Sequence, residues 1–314
     1  MQLIRSDTHI DFLGKRKIAL AASSILILLS LVFLLAKGLN FGIDFTGGTL
    51  VEVKFTQAAN IADVRQSLVP AGYGAATIQE FGSPEEILIR VQNVADKDSS
   101  SISSEILAAL EKGSGSGSVE MRRVEFVGPQ VGEELTRAGI MSVLIAMLAI
   151  LIYVTFRFEL RFAIGADAAL LHDITLVIGV FAMTGKEFSL PVVAAILTVI
   201  GYSLNDTIVV FDRVRENLAA NRRKKNQSSE VEIVNSSLNQ TLSRTLMTSL
   251  TTLLVVLSLF FLGGEVIHDF AFALIIGILV GTYSSIYVAS PVMLSLHGRF
   301  KLSEEDFSEM DARP

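Results

Sequence analysis

Six stretches of the chain are apolar for long enough to cross a bilayer: residues 18–36, 138–156, 162–183, 190–211, 246–262 and 270–294. A helix spanning ~30 Å of hydrocarbon needs about 20 mostly apolar residues, and even the fifth and shortest stretch falls within that range. The pattern predicts an all-α bundle of six transmembrane helices. A long polar segment, 37–132, separates the first stretch from the second. The other connections are short except 213–244, which reads as a loop, so that 133–297 is a five-helix block after the polar segment.

Inside the polar segment the periodicity changes. Residues 50–55 (LVEVKF) alternate as a half-buried strand does. Asn60 is placed to cap a helix reaching Val69, which Pro70, Ala71 and Gly72 end. Residues 76–79 and 86–91 read as two strands, with Gly82, Ser83 and Pro84 as the turn. Ser100 or Ser101 is a candidate cap for a second helix over 102–111, with Gly113 as its stop. Residues 119–127 read as a last strand, and the alternating Gly-Ser run at 113–118 as a flexible loop. The order β-α-β-β-α-β is the ferredoxin-like pattern. The predicted fold is therefore a membrane all-α bundle of six helices with one α+β ferredoxin-like (βαββαβ) domain between spans 1 and 2.

Charge orients the bundle. Lys15, Arg16 and Lys17 precede the first span; Arg157 and Arg161 flank the turn after the second; Arg213, Arg215, Arg222, Arg223, Lys224 and Lys225 follow the fourth; Arg299 and Lys301 follow the sixth. The opposite short loops hold only Lys186 in one and no basic residue in 263–269. By the positive-inside tendency both termini, 1–17 and 298–314, lie on the cytoplasmic side with loop 213–244, and the 37–132 domain lies outside.

The composition agrees with a membrane chain: 51% of the 314 residues are apolar and 18% charged, against about a quarter charged in soluble domains. The net charge of -6 lacks the basic footprint of nucleic-acid binding. There is no cysteine, and the four histidines are scattered without metal-ligand spacing. No nucleophile–base constellation stands out, so neither enzymatic activity nor a cofactor or metal is expected. The first apolar run lacks a small-residue cleavage site, so no cleavable signal peptide is expected.

Ionisable groups in spans point to function. Asp206, flanked by Asn205 and Thr207, lies about two turns from the cytoplasmic end of the fourth span. Arg244 opens the fifth span from the same side, and Thr248 and Thr252 follow it along one helix face. Such a face opposite an Asp can carry protons through water and hydroxyls, the Asp alternating between a paired carboxylate and a neutral acid. The other reading has Arg244 snorkelling to the interface and Asp206 as a satisfied structural group. His172 and Asp173, mid-span in the third helix, serve either a relay or helix packing. As sequence neighbours they are expected to reach different partners.

Five motifs then carry a resemblance: FGIDFTGG at 41–48, VEFVGPQVG at 124–132, GYSLNDTIVVFDRVREN at 201–217, TLSRTLMTSLTT at 241–252 and SSIYVAS at 284–290. In this order and topology the chain resembles the SecD/SecF family of protein-export membrane proteins. Its length and single outside domain favour the SecF branch. The resemblance implies a heterodimer with a SecD subunit in the bacterial inner membrane, joined to the SecYEG channel and its accessory subunits. It implies use of the proton-motive force to move unfolded preprotein outward, in a bundle like that of resistance-nodulation-division transporters. By motif position it assigns proton coupling to Asp206 and Arg244, with Thr248 nearby, which agrees with the choice made on physical grounds. Asn205, His172 and Asp173 are further candidates for the relay. Gly42, Asp44, Gly47 and Gly48 are candidates for a joint between span 1 and the domain, or for a fixed tight turn with Asp44 as a cap. Protons and Na⁺ both suit the polar setting of Asp206, with the proton preferred. The competing functional readings are a passive assembly or chaperone subunit, and half of a proton-coupled small-molecule exporter.

Overall fold

The computed structural model describes residues 9–92, 98–115, 117–223 and 227–296. The expected tail 298–314, residues 1–8, Lys224 and Lys225 lie outside these.

Among the described residues, six helices are long and apolar enough to cross a membrane. The chain enters through a 3-10 turn, Leu13–Lys15, into α1 (Arg16–Lys37). A short strand β1 (Asn40–Phe41) and one helical turn α2 (Ile43–Thr46) lead into the small domain. Its elements are β2 (Gly48–Phe55), α3 (Ile61–Leu68), β3 (Thr77–Phe81), β4 (Ser83–Val91), α4 (Ser99–Ser114) and β5 (Val119–Val127). There follow α5 (Pro129–Arg157), α6 (Leu160–Thr184), a short strand β6 (Glu187–Phe188), α7 (Leu190–Arg222), α8 (Glu230–Leu262) and α9 (His268–Ser284). The sixth span does not stay α-helical: residues Ser285–Ala289 form a π turn before α10 (Ser290–Ser295).

The domain's four strands form an antiparallel sheet in the order β3-β4-β2-β5. Alternation along β2 sends Val51, Val53 and Phe55 toward α3 and α4, where they meet Leu68, Ile102, Ile106 and Leu110 in one buried cluster. Several local expectations shift. The turn is tighter than Gly82–Pro84: β4 restarts at Ser83, and only Gly82, at φ 76, turns. Asp98, not a serine, caps α4 by accepting from the Ser101 N–H at 3.0 Å. That helix passes Gly113 and ends against Gly115. Asn60 does cap α3, accepting from the Ala62 N–H at 2.8 Å.

In the bundle, α6, α7 and the sixth span bury half or more of their most apolar windows, whereas α1, α5 and α8 bury a fifth or less. Small residues let the central helices touch. A Cβ on Gly277 of α9 would stand 2.0 Å from Val199 of α7, and one on Gly179 of α6 would stand 2.1 Å from Ser30 of α1.

The expected loop 213–244 is instead a helical hairpin away from the domain. α7 runs on to Arg222, and α8 starts at Glu230 under a capping box of Ser229 and Glu232. The two helices are joined by Asn217 Nδ2 donating to Ser237 Oγ (2.8 Å) and Gln240 Oε1 (3.0 Å). Apolarity ends where the membrane ends, but helical hydrogen bonding does not need apolar side chains. The N-terminal segment straps this hairpin: Asn239 accepts from the Ile10 N–H, and Asn235 from those of Phe12 and Leu13.

Candidate functional site

Along α7 the buried positions Val199, Ser203, Asp206, Val210 and Val214 recur at helical spacing. Two polar residues thus occupy an otherwise apolar stripe, and helix geometry places them one turn apart, facing the centre of the bundle.

Asp206 is 2% exposed. Thr248 Oγ1 donates toward its Oδ1 and Ser249 Oγ toward its Oδ2, both at 3.5 Å. These are long contacts for hydroxyl donors. The Thr248 hydroxyl is shared with the carbonyls of Thr245 (2.9 Å) and Arg244 (3.1 Å). The Ser249 hydroxyl lies 2.7 Å from Thr282 Oγ1 of α9, which extends the polar contacts across three helices. Arg244 is exposed, and among the described residues no ion pair within 4 Å joins it to Asp206. Asn205 is also exposed and turns away from this cluster. Thr252 donates back to the Thr248 carbonyl at 2.9 Å.

One turn toward the domain stands a second buried carboxylate, Asp173 of α6. Its Oδ2 accepts from Ser203 Oγ (2.6 Å) and Ser284 Oγ (2.8 Å), and its Oδ1 lies 3.0 Å from His172 Nδ1. His172 and Asp173 therefore meet each other, against the expectation that they reach separate neighbours. The imidazole also stacks on Tyr283 with ring centroids 6.0 Å apart. Tyr283 in turn donates to the Ala19 carbonyl of α1. His172 Nε2 is buried without a hydrogen-bond partner.

The two carboxylates differ in kind. Asp173 is held by three short contacts, two of them from serines on neighbouring helices. Asp206 has two long ones and, among the described residues, no ion pair within 4 Å. In a medium of low polarity an ionised carboxylate needs such partners, and Asp173 has more and shorter ones than Asp206. No group of three or more His, Asp or Glu able to hold a metal exists among the described residues.

The glycine-rich motif sits at the domain end of the bundle. Gly48, at φ 133, lies against β4: a Cβ there would stand 2.5 Å from the Val91 carbonyl oxygen. Glycine alone combines that backbone angle with so close an approach. Gly47, at φ 66, ends α2, and a Cβ on Gly132 of α5 would stand 3.0 Å from its backbone nitrogen. Gly42 N–H donates to the Phe188 carbonyl (2.9 Å) beside the parallel β1–β6 pairing. Asp44 Oδ2 accepts from the Leu190 N–H at 2.8 Å, so it caps α7 rather than its own turn.

Sequence reasoning missed Ser203, Ser249, Thr282 and Ser284. Their signal was the helical spacing of Ser203 to Asp206 and the adjacency of Ser249 to Thr248. Pairing across helices left no signal.

Two family models match the chain: "Protein export membrane protein SecD/SecF, C-terminal" over residues 106–299, and "SecD/SecF GG Motif" over residues 32–59. The chain belongs to the SecD/SecF family. Within it, the Protein translocase subunit SecF of Magnetococcus marinus is 54% identical over 313 residues, covering 98% of this chain and 99% of that one. The SecF of Vibrio alginolyticus is 50% identical, covering 94% and 92%. Among solved structures, the SecDF of a Thermus species, titled a translocon-associated membrane protein, is 40% identical with a TM-score of 0.84. It covers 95% of this chain, which spans 40% of that longer one. A SecDF in a super-membrane-facing form is 38% identical with a TM-score of 0.69. The chain is thus a multi-pass membrane protein of the Sec export family, on the SecF side.

Proposed function

We propose that this chain is the SecF subunit of a Sec export machine in the bacterial inner membrane, and that with a SecD partner it uses the proton-motive force to promote late preprotein translocation through the SecYEG channel. The observation that carries the reading is Asp206: a carboxylate buried among helices and met by two long hydroxyl contacts. A proton arriving from the outer side neutralises it, and release inward restores the charge. Arg244, one turn from Thr248 on α8, supplies the positive field that favours the ionised state, and it pairs with Asp206 when the helices shift. Asn205, on the exposed face of α7, points to where a partner's groups would complete the pathway. His172 and Asp173 stand on the outer side of this route, where they either extend the relay or pack the helices. The small domain, with its ferredoxin-like βαββαβ order, lies in the periplasm, and both termini lie in the cytoplasm. Gly42, Asp44, Gly47 and Gly48 form the joint through which bundle rearrangement reaches it. One charge crossing 100 mV is worth about 2.3 kcal/mol, enough to bias a two-state domain.

The test is preprotein translocation into inverted membrane vesicles with and without a proton gradient, comparing wild type with Asp206→Asn at equal assembly with SecD. Loss of the gradient-dependent late phase is expected. Gradient stimulation equal to wild type would instead support a passive assembly subunit. The short-bonded Asp173 cluster favours that second reading, because it has the character of a packing device.

A further inference from the structure

The small domain has its own buried core, separate from those of the bundle. Among the described residues, the contacts between them include a minor cluster of Ile43, Leu50 and Leu88, the α2 turn, and a long-range ion pair, Arg90 with Glu187. Arg90 sits on the helix-free face of β4 and is 7% exposed, yet its Nε has no partner. Glu187 projects from β6, and a Cβ on Gly42 would stand 2.6 Å from its Oε1. Beside the pair opens a cavity of about 470 Å³, lined by Asp44, Arg123, Glu125, Lys186, His268 and Asp269.

We propose that Arg90 and Glu187 are the positioning pair that couples the domain to the helix carrying Asp206: they hold the domain docked, and they part and rejoin during each transport cycle. The proposal rests on the proton-driven reading above. Three features support an interface that opens. A cavity lined in part by charged side chains lies in the interface beside a small apolar cluster, so separation exposes limited hydrophobic surface. The Arg90 guanidinium is incompletely satisfied, so rehydration offsets part of the lost pairing. Burial pushes the Glu187 carboxyl above its ordinary range, against the opposing pull of Arg90, and the carboxylates of Asp269, Asp44 and Glu125 add to that push. The pair is also placed to transmit motion. Glu187 stands just before Leu190, the first residue of α7, and Asp206 lies ~24 Å further along that helix.

The chain has no cysteine, so Arg90→Cys with Glu187→Cys introduces the only thiols. The full chain, assembled with SecD, is treated with a reducible bis-methanethiosulfonate cross-linker at rest and during gradient-driven translocation. Cross-linking between the two positions should fall about tenfold during transport, the population shift that ~1.4 kcal/mol of bias gives. Vesicles cross-linked beforehand should lose the gradient stimulation they show before cross-linking and regain it on reduction, while the cross-linker should leave single-cysteine controls at their own untreated level. Should the thiol pair fail to assemble, the charge swap Arg90→Glu with Glu187→Arg takes its place: it should restore the stimulation that either single change removes. Unchanged cross-linking, stimulation that survives the cross-link, or a swap no better than the single changes overturns the proposal and leaves the proton-driven reading standing. Absence of gradient stimulation in wild type overturns both.

Discussion

Asp44 and Leu190 are 146 positions apart, yet the carboxylate of one accepts the backbone N–H of the other at 2.8 Å. A motif at the edge of the small domain thereby caps the helix that bears Asp206, and satisfies one of its orphan N–H groups. Asp44→Ala should lower stability by about 1 kcal/mol, the usual value of an N-cap, and Asp44→Asn by much less. Thermal unfolding in detergent of the three proteins checks this; equal loss for both changes would show that the carboxylate acts otherwise than as a cap.

The hydroxyls facing Asp206 should matter more to transport than to stability. Their contacts are long and, for Thr248, shared with backbone carbonyls. Thr248→Val and Ser249→Ala should each change unfolding by less than about 1 kcal/mol but reduce the gradient-stimulated part of translocation. Stability and transport falling together would refute this division.

Asp173 should behave in the opposite way. Asp173→Ala strips partners from Ser203 and His172 in the interior, at a cost of about 3 kcal/mol. Denaturant titration in micelles measures it. A stable Asp173→Ala protein that has lost only gradient coupling would move this residue from packing to relay.

Gly277 brings α9 close against α7, with Val199 in the space a Cβ would need. Gly277→Ala should force the helices apart and cost about 1–3 kcal/mol, as overpacking does. Gly201, with nothing within 4 Å of a Cβ, should accept alanine with little effect on this chain's own stability.

Asp98 gives the domain a pH dependence. Hydrogen bonds from Ser101 and Ser100 hold its carboxyl below the ordinary 3.8. A depressed carboxyl contributes stability above its ordinary pKa and loses it as pH falls through the folded value. Amide exchange over the first turn of α4, corrected for intrinsic rates, should speed up below pH 3.8, and Asp98→Ala should remove that dependence.

Much of this was legible in the chain. The six spans follow from apolar length, and β5 matches its expected bounds because alternation and flanking glycines mark both ends. Asp206 was legible as a charge where charge is costly. The hairpin beyond the membrane was not, because Asn217, Ser237 and Gln240 look like loop residues until the second helix is beside them. The meeting of His172 with Asp173 depends on one side-chain rotamer, and Arg90 with Glu187 on a register between domain and bundle that no local pattern records. The distance between Asp206 and Arg244 belongs to the same class: a shared membrane depth is readable from sequence, whereas contact is not.

The π turn at Ser285–Ala289 shifts phase along the sixth span. At ~100° per residue, Ser284 and Met293 would point ~180° apart on an unbroken α-helix. The wide turn absorbs about one residue of that rotation, and both ends reach α6: Ser284 at Asp173, Met293 against Gly165. Deleting one residue from this stretch would leave the helix as apolar as before and swing its far end away from α6. What these five positions encode is an angle.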